Sequence, residues 1–271
     1  MHYDPIKQTL GKLFNRFIIT RKLFYHLLDV LLLRTWHIHK ELRQFSKKRK
    51  ASGKLNVLDA GSGFGQYSYY LARKHPQWNI LGVDVKADEI EACNAFFEKA
   101  GLGNARFELG DLTVFRKEKA FDLVLSVDVM EHIEADEKVF SHFFHSLKTG
   151  GMLLINTPSD QGGSDVADQD DESFIGEHVR DGYGKMEMEE KLKRAGFDKV
   201  EIYYTYGKPG KISWRLSMKY PIMLLGVSRF FLVLLPFYYL LVMPFALLLN
   251  MADVRLKHDS GTGLMVKAFK K

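Results

Sequence analysis

Residues 56–73, NVLDAGSGFGQYSYYLAR, constrain the fold more than any other stretch of the chain. An apolar run of strand length leads into a turn carrying Gly61, Gly63 and Gly65, and a helical pattern follows at once. Glycines in such a turn let the backbone reverse sharply and let a ligand lie against bare main chain, beside the positive end of a helix. The spacing is G-x-G-x-G; a dinucleotide fingerprint would place its third glycine at position 66, which is Gln.

The same alternation continues downstream. Short apolar runs at 55–61, 78–85, 105–111, 121–128, 150–158, 199–206 and 263–269 predict seven strands. Helical patterns near 66–74, 88–100, 136–147 and 185–196 separate several of them, the last closed by Gly196. Strands that read as continuous apolar runs and alternate with helices imply a mostly parallel sheet covered on both faces. An apolar fraction of 46% is enough to supply its core. The single cysteine, Cys93, excludes an intramolecular disulfide and suits a reducing compartment.

Acidic residues stand where the second and third strands end. Asp84 closes LGVD, where a carboxylate accepts hydrogen bonds from both hydroxyls of a ribose, and Asp111 closes ELGD. With the VLDAGSGFG turn, the stretches GVDV, FELGDL, FDLVLSVDVMEHI and SLKTGGMLLINTP come in an order and spacing that resemble the class I S-adenosylmethionine-dependent methyltransferases. The resemblance runs from about Asn56 to Phe197, with a final piece at 261–271. It implies a seven-stranded Rossmann-like α/β sheet with S-adenosyl-L-methionine as cofactor. By the same resemblance Asp59 and Gly61 lie near the methionine moiety, Asp84 holds the ribose, Asp111 and Leu112 frame the adenine, and Gly63, Gly65 and Asp128 belong to the cofactor-binding set.

Two segments carry candidates for proton transfer or acceptor binding. DVMEH supplies Asp128, Glu131 and His132; GEHVRDGY supplies His178, Arg180 and Tyr183. His178 follows the acidic, glycine-bearing stretch 159–173, a loop in the region where the family gathers acceptor-binding groups. His178, His132 and Tyr183 are therefore the expected catalytic residues. The Asp-x-x-Glu-His pattern also resembles a divalent-metal motif of some relatives, but relatives without metal carry Glu-His at this place, and no metal is expected. Tyr203, Tyr204 and Tyr206 read as strand and core.

The rest of the chain is unusual for a soluble enzyme. Residues 1–54 carry 13 Lys+Arg against 3 Asp+Glu and interleave them with leucines and phenylalanines. Amphipathic helices are expected from Leu10 to Phe45, followed by a polar linker over 46–54. Leucines in place of stacking aromatics, and no base-binding run, argue against nucleic acid as partner. Between the sixth and seventh strands lies FFLVLLPFYYLLVMPFALLLN, residues 230–250, without a charge. A single membrane span there would leave the last strand on the wrong side of the bilayer, away from the sheet it must join. Two spans, Ile222–Leu235 and Phe237–Leu249, would each fall short of the roughly 20 residues a crossing needs. Pro236 and Pro244 are expected to break a long helix. What fits is an apolar hairpin lying in one leaflet, with Lys208, Lys211, Arg215 and Lys219 before it at the headgroups.

The resulting division is a basic arm (1–54), a methyltransferase core (55–207), a docking insertion (208–260) and a final strand (261–271). The expected activity is methyl transfer to a lipophilic small molecule, such as a quinone precursor, a phenol or a pigment lipid. Its place is the cytoplasmic side of a membrane, peripheral or monotopic; no secretory signal is read at the N-terminus. Two alternatives stay open: a soluble acceptor with the hairpin making a homodimer, and a membrane adaptor that binds the cofactor without turnover.

Overall fold

A computed structural model describes residues 18–49, 53–162, 179–228 and 230–271. Two N-terminal helices, α1 (Ile18–Leu31) and α2 (Leu33–Lys48), precede the sheet and meet at Leu32, whose extended backbone separates them. The core then runs β1 (Asn56–Ala60), α3 (Gln66–Lys74), β2 (Asn79–Asp84), α4 (Ala87–Lys99), β3 (Ala105–Leu109) and β4 (Phe121–Val127). It continues with α5 (Asp136–Ser146), β5 (Leu147–Pro158), α6 (Lys185–Arg194) and β6 (Lys199–Thr205), and ends with β7 (Gly263–Phe269).

The seven strands form one sheet in the order β3-β2-β1-β4-β5-β7-β6. All neighbouring pairs are parallel except those of β7, which runs antiparallel to both β5 and β6. Alternate residues of β1, β4 and β5 feed two apolar layers. Val57, Leu123 and Leu125 pack under α2, α3 and α4, whereas Leu58, Val124 and Leu153 pack under α5 and α6. Both faces are buried, so these strands need apolar residues on each side, which is why they read as unbroken apolar runs. The order also brings the ends of β1, β2 and β4 to the reversal of the winding, where open α/β sheets bind ligands.

Two expectations about the helices change. The expected linker is partly helical, since α2 continues to Lys48. The prolines do not break the apolar insertion: Phe231–Arg255 is one 25-residue helix, α9, with Pro236 and Pro244 inside it. The first leg of the hairpin ends before them, at Val227. That leg is α7 (Lys208–Trp214), a π-helical stretch Arg215–Lys219, and α8 (Tyr220–Val227). A π stretch offsets the carbonyl ladder. The Tyr238 and Tyr239 hydroxyls of α9 donate to the Leu216 and Ser217 carbonyls there, at 2.6 and 2.9 Å. These bonds tie one leg to the other alongside the prolines, each of which costs its own helix a backbone hydrogen bond.

The base of the hairpin is seated and its length is not. Ala246, Asn250 and Asp253 are buried, whereas Phe230, Leu234, Phe237, Leu241, Phe245 and Leu248 are exposed. Those six recur every three or four residues, a stripe about 27 Å long at 1.5 Å per residue. Among the described residues α9 is the helix long and apolar enough to cross a bilayer, by length and composition.

Candidate active site

The carboxyl ends of β1 and β2 are joined by the glycine turn. Gly61 and Ser62 donate their N–H groups to the Val83 carbonyl at 2.8 and 3.1 Å, which ties the turn to the end of β2. Gly61, Gly63 and Gly65 all lie at positive φ, +77°, +48° and +78°. A Cβ on Gly61 would fall 2.3 Å from Val129 Cγ2, so there the turn packs closely on the loop after β4. A Cβ on Gly63 would meet nothing within 4 Å. That bare main chain offers a cradle for a ligand.

Asp84 stands beside it with both oxygens fixed. Its Oδ2 accepts the Gly63 N–H at 2.8 Å and its Oδ1 the Lys86 N–H at 3.1 Å. A carboxylate offers about four lone-pair directions, so hydroxyl donors can still be taken on. The glycine cradle and the anchored carboxylate together fit an adenosyl cofactor with a vicinal diol. Asp111 is exposed after β3, its Oδ1 accepting the Thr113 N–H at 2.8 Å, a bond that lowers its pKa below the usual carboxylate range. Leu112 is buried beneath, and its carbonyl lies 3.1 Å from His142 Nδ1.

Asp59 has a structural task beside the turn. It is buried and its Oδ2 takes both the N–H and the hydroxyl of Ser68, at 3.1 and 2.6 Å. It thereby anchors the first turn of α3. Burial pushes its pKa up to about 6.

Helix α1 closes one side of the turn. The Tyr25 hydroxyl donates to the Phe64 carbonyl, and Arg21 reaches the same carbonyl at 2.9 Å and Ala92 O at 2.8 Å. Cys93 lies under Arg21, its thiol pushed up to about 12 by burial and so inert.

A second polar cluster, the candidate acceptor side, is built on the ends of β4 and β6. Asp128 has φ +51° and Tyr206 φ +55°, left-handed backbone that a bulky residue adopts only when its surroundings hold it there. Both meet Arg34, the second residue of α2. The Arg34 guanidinium pairs with Asp128, and its backbone N–H donates to the Tyr206 hydroxyl at 3.0 Å. Arg34 Nε is buried without a hydrogen-bond partner. Glu131 is buried behind, taking the Thr157 hydroxyl at 3.0 Å. Burial, with the Asp128 charge adding to it, pushes Glu131 up to about 8.

The expected catalytic residues are scattered. His132 is exposed on the short 3₁₀ turn Met130–His132. Tyr183 is fully buried, its hydroxyl 2.8 Å from Asp136 Oδ2 and 3.0 Å from Met130 O, with Arg180 and Lys191 on the same carboxylate. It is a core residue that organises this ion cluster and offers no face to an acceptor, which corrects the expectation. His178 lies outside the described residues. Asp128, Glu131 and His132 do not converge, and among the described residues no group of three His, Cys, Asp or Glu is arranged to hold a metal.

Arg34 and Tyr206 were missed as site residues. Tyr206 had one signal: it follows the last residue of β6 and precedes Gly207, the place where a strand ends at the ligand edge. Arg34 had none beyond its position within an apolar, basic helix.

The methyltransferase-domain family matches residues 51–203. A phosphoethanolamine N-methyltransferase of Arabidopsis thaliana is 29% identical over 167 residues, 58% of this chain and 32% of that protein. A mitochondrial ubiquinone biosynthesis O-methyltransferase of Candida albicans is 28% identical over 127 residues, 46% of this chain and 38% of that protein. The chain thus spans about a third of the length of such curated relatives. The solved phosphoethanolamine N-methyltransferase 2 of Haemonchus contortus, in complex with S-adenosyl-L-methionine, shares the fold with a TM-score of 0.60 at 18% identity, over 91% of this chain and 60% of that one.

Proposed function

This chain belongs to the methyltransferase-domain family, and from that premise we propose that it transfers the methyl group of S-adenosyl-L-methionine to a lipophilic small molecule at a membrane surface. The observation that carries the reading is the exposed stripe Phe230–Leu248 on a hairpin whose base contacts Tyr206, at the same sheet edge as the glycine cradle. An acceptor dissolved in lipid then reaches the site without crossing water. Lys208, Lys211, Arg215 and Lys219 recur every three or four residues along the first leg, a row suited to anionic headgroups. We place the enzyme on the cytoplasmic side, lying in one leaflet.

Gly61, Gly63 and Asp84 would hold the cofactor, with Asp111 and Leu112 at its adenine end. The cofactor brings an electrophilic methyl on a sulfonium, so the protein's share is alignment and exclusion of water. Helix α1 shields the turn. Arg34 neutralises Asp128 at the acceptor side, and burial beside Asp128 favours the neutral form of Glu131, which spares the site a second negative charge.

The test uses the full chain with methyl-labelled cofactor and a membrane lipid extract. Label is expected in the organic phase. A variant with Phe237→Glu and Leu241→Glu should stop sedimenting with phosphatidylglycerol vesicles and lose this transfer, yet keep its affinity for S-adenosylhomocysteine. Label confined to the aqueous phase, with the variant equal to the wild type, refutes the membrane reading. That result would favour a water-soluble acceptor, as the plant relative's name suggests for that protein.

A further inference from the structure

One buried carboxylate ties the hairpin to the acceptor side of the site. Asp253, near the end of α9, is wholly buried. Its Oδ1 accepts His37 Nε2 of α2 at 2.8 Å and the Tyr206 N–H at 3.2 Å; its Oδ2 accepts the Gly210 N–H of α7 at 2.9 Å and lies 3.2 Å from His258 Nε2. Both hairpin legs, the exit of β6 and the cap helix α2 therefore share a single side chain. The fit is close: a Cβ on Gly210 would stand 2.6 Å from Asp253 Oδ2 and 2.7 Å from Leu33 Cδ2.

Tyr206 passes this anchorage on. Its strained backbone is held by Asp253 at the N–H and by the Thr262 N–H on its carbonyl, at 3.4 Å. Its hydroxyl then accepts the Arg34 N–H. That N–H is one of the unsatisfied donors in the first turn of α2, and Leu32, at the N-cap, makes no side-chain cap bond. A tyrosine from the far side of the sheet is thus the cap of the helix whose Arg34 grips Asp128.

We propose that Asp253 is a positioning residue for the reaction: through Tyr206 and Arg34 it holds Asp128, so the acceptor side of the site is set by how the hairpin is seated. The inference rests on the methyltransferase reading of this edge, but the bonds that transmit it are observable without turnover. Because Tyr206 adopts a conformation costly to its residue type, it relaxes once Asp253 releases its N–H, and its hydroxyl leaves the end of α2.

Backbone amide exchange on the full chain, with S-adenosylhomocysteine binding and methyl transfer to the lipid extract, tests the relay in two variants. Tyr206→Phe cuts it beyond the hub: exchange at the Arg34 amide should accelerate about tenfold while the Gly210 amide stays as in the wild type. Turnover should fall by a similar factor with cofactor affinity unchanged. Asp253→Asn should loosen both amides and lower turnover equally. A general loss of fold would also loosen β1 and β4, which serve as internal controls. Tyr206→Phe with wild-type exchange at Arg34, or with a loosened Arg34 and undiminished turnover, overturns the proposal. Absence of methyl transfer by the wild type overturns the reading of the reaction instead, and the exchange measurements still decide the relay.

Discussion

Replacing Gly63 by alanine separates what the turn does for folding from what it does for the cofactor. At φ +48° an alanine pays the left-handed penalty, about 1–2 kcal/mol. Its methyl meets nothing within 4 Å, so no packing cost is added. For a chain of this size that lowers Tm by about 2–4 °C for each kcal/mol. Gly101, after α4, is a matched control, with φ +73° and equally open space. Gly101→Ala should lose the same stability and no affinity. If a ligand lies against Gly63, the new methyl intrudes on it, and overpacking of this kind costs about 1–3 kcal/mol. At 1.4 kcal/mol per decade this is roughly a 5- to 150-fold weaker Kd. Titration calorimetry with S-adenosylhomocysteine reads the affinity and a thermal melt the stability. Gly63→Ala binding as tightly as Gly101→Ala would refute the cradle, since the open face would then touch no ligand.

Two further outcomes follow from the carboxylates. Asp84→Ala should weaken S-adenosylhomocysteine binding by about 1–3 kcal/mol, through ribose hydroxyls left unpaired, and calorimetry checks it. Glu131 has a folded pKa raised to about 8, so the native state binds the extra proton between the ordinary glutamate range and that value. Its contribution to stability is therefore lost as pH rises through this window. Glu131→Gln should flatten the decline of Tm between pH 5 and pH 8; an unchanged slope would show that Glu131 ionises normally.

The sheet was largely legible because its central strands are buried on both faces and are written as apolar runs. The cradle was legible for a related reason: glycines between a strand and a helix, with Asp84 ending the next strand, are local signals. The proposed acceptor side was not local. Arg34, Asp128, Tyr206 and Asp253 are far apart in sequence, and only the return of the hairpin to α2 brings them together. Tyr203, Tyr204 and Tyr206 look alike in sequence yet bind three partners: Tyr203 donates to Glu41, Tyr204 accepts from Gln161, and Tyr206 caps α2. Tyr183 misled because a tyrosine beside charged residues reads as chemistry until its burial is known. The prolines misled because their effect was judged from one helix, without the tyrosines that clamp the facing leg.

The position of β7 governs the order in which the molecule becomes an enzyme during synthesis. β6 lies at the edge of the sheet with β7 as its neighbour, and β7 begins 58 residues after β6 ends (Thr205 to Gly263). At ribosomal speeds of about 5–20 residues per second, roughly 3–12 s pass between them. Throughout that interval β6 cannot pair with β7, and the strand edge it offers is one on which chains aggregate. The segment emerging meanwhile is the hairpin, the most apolar part of the chain. On the membrane reading proposed above, docking of the hairpin before the sheet is complete would also shorten the life of this exposed-edge intermediate.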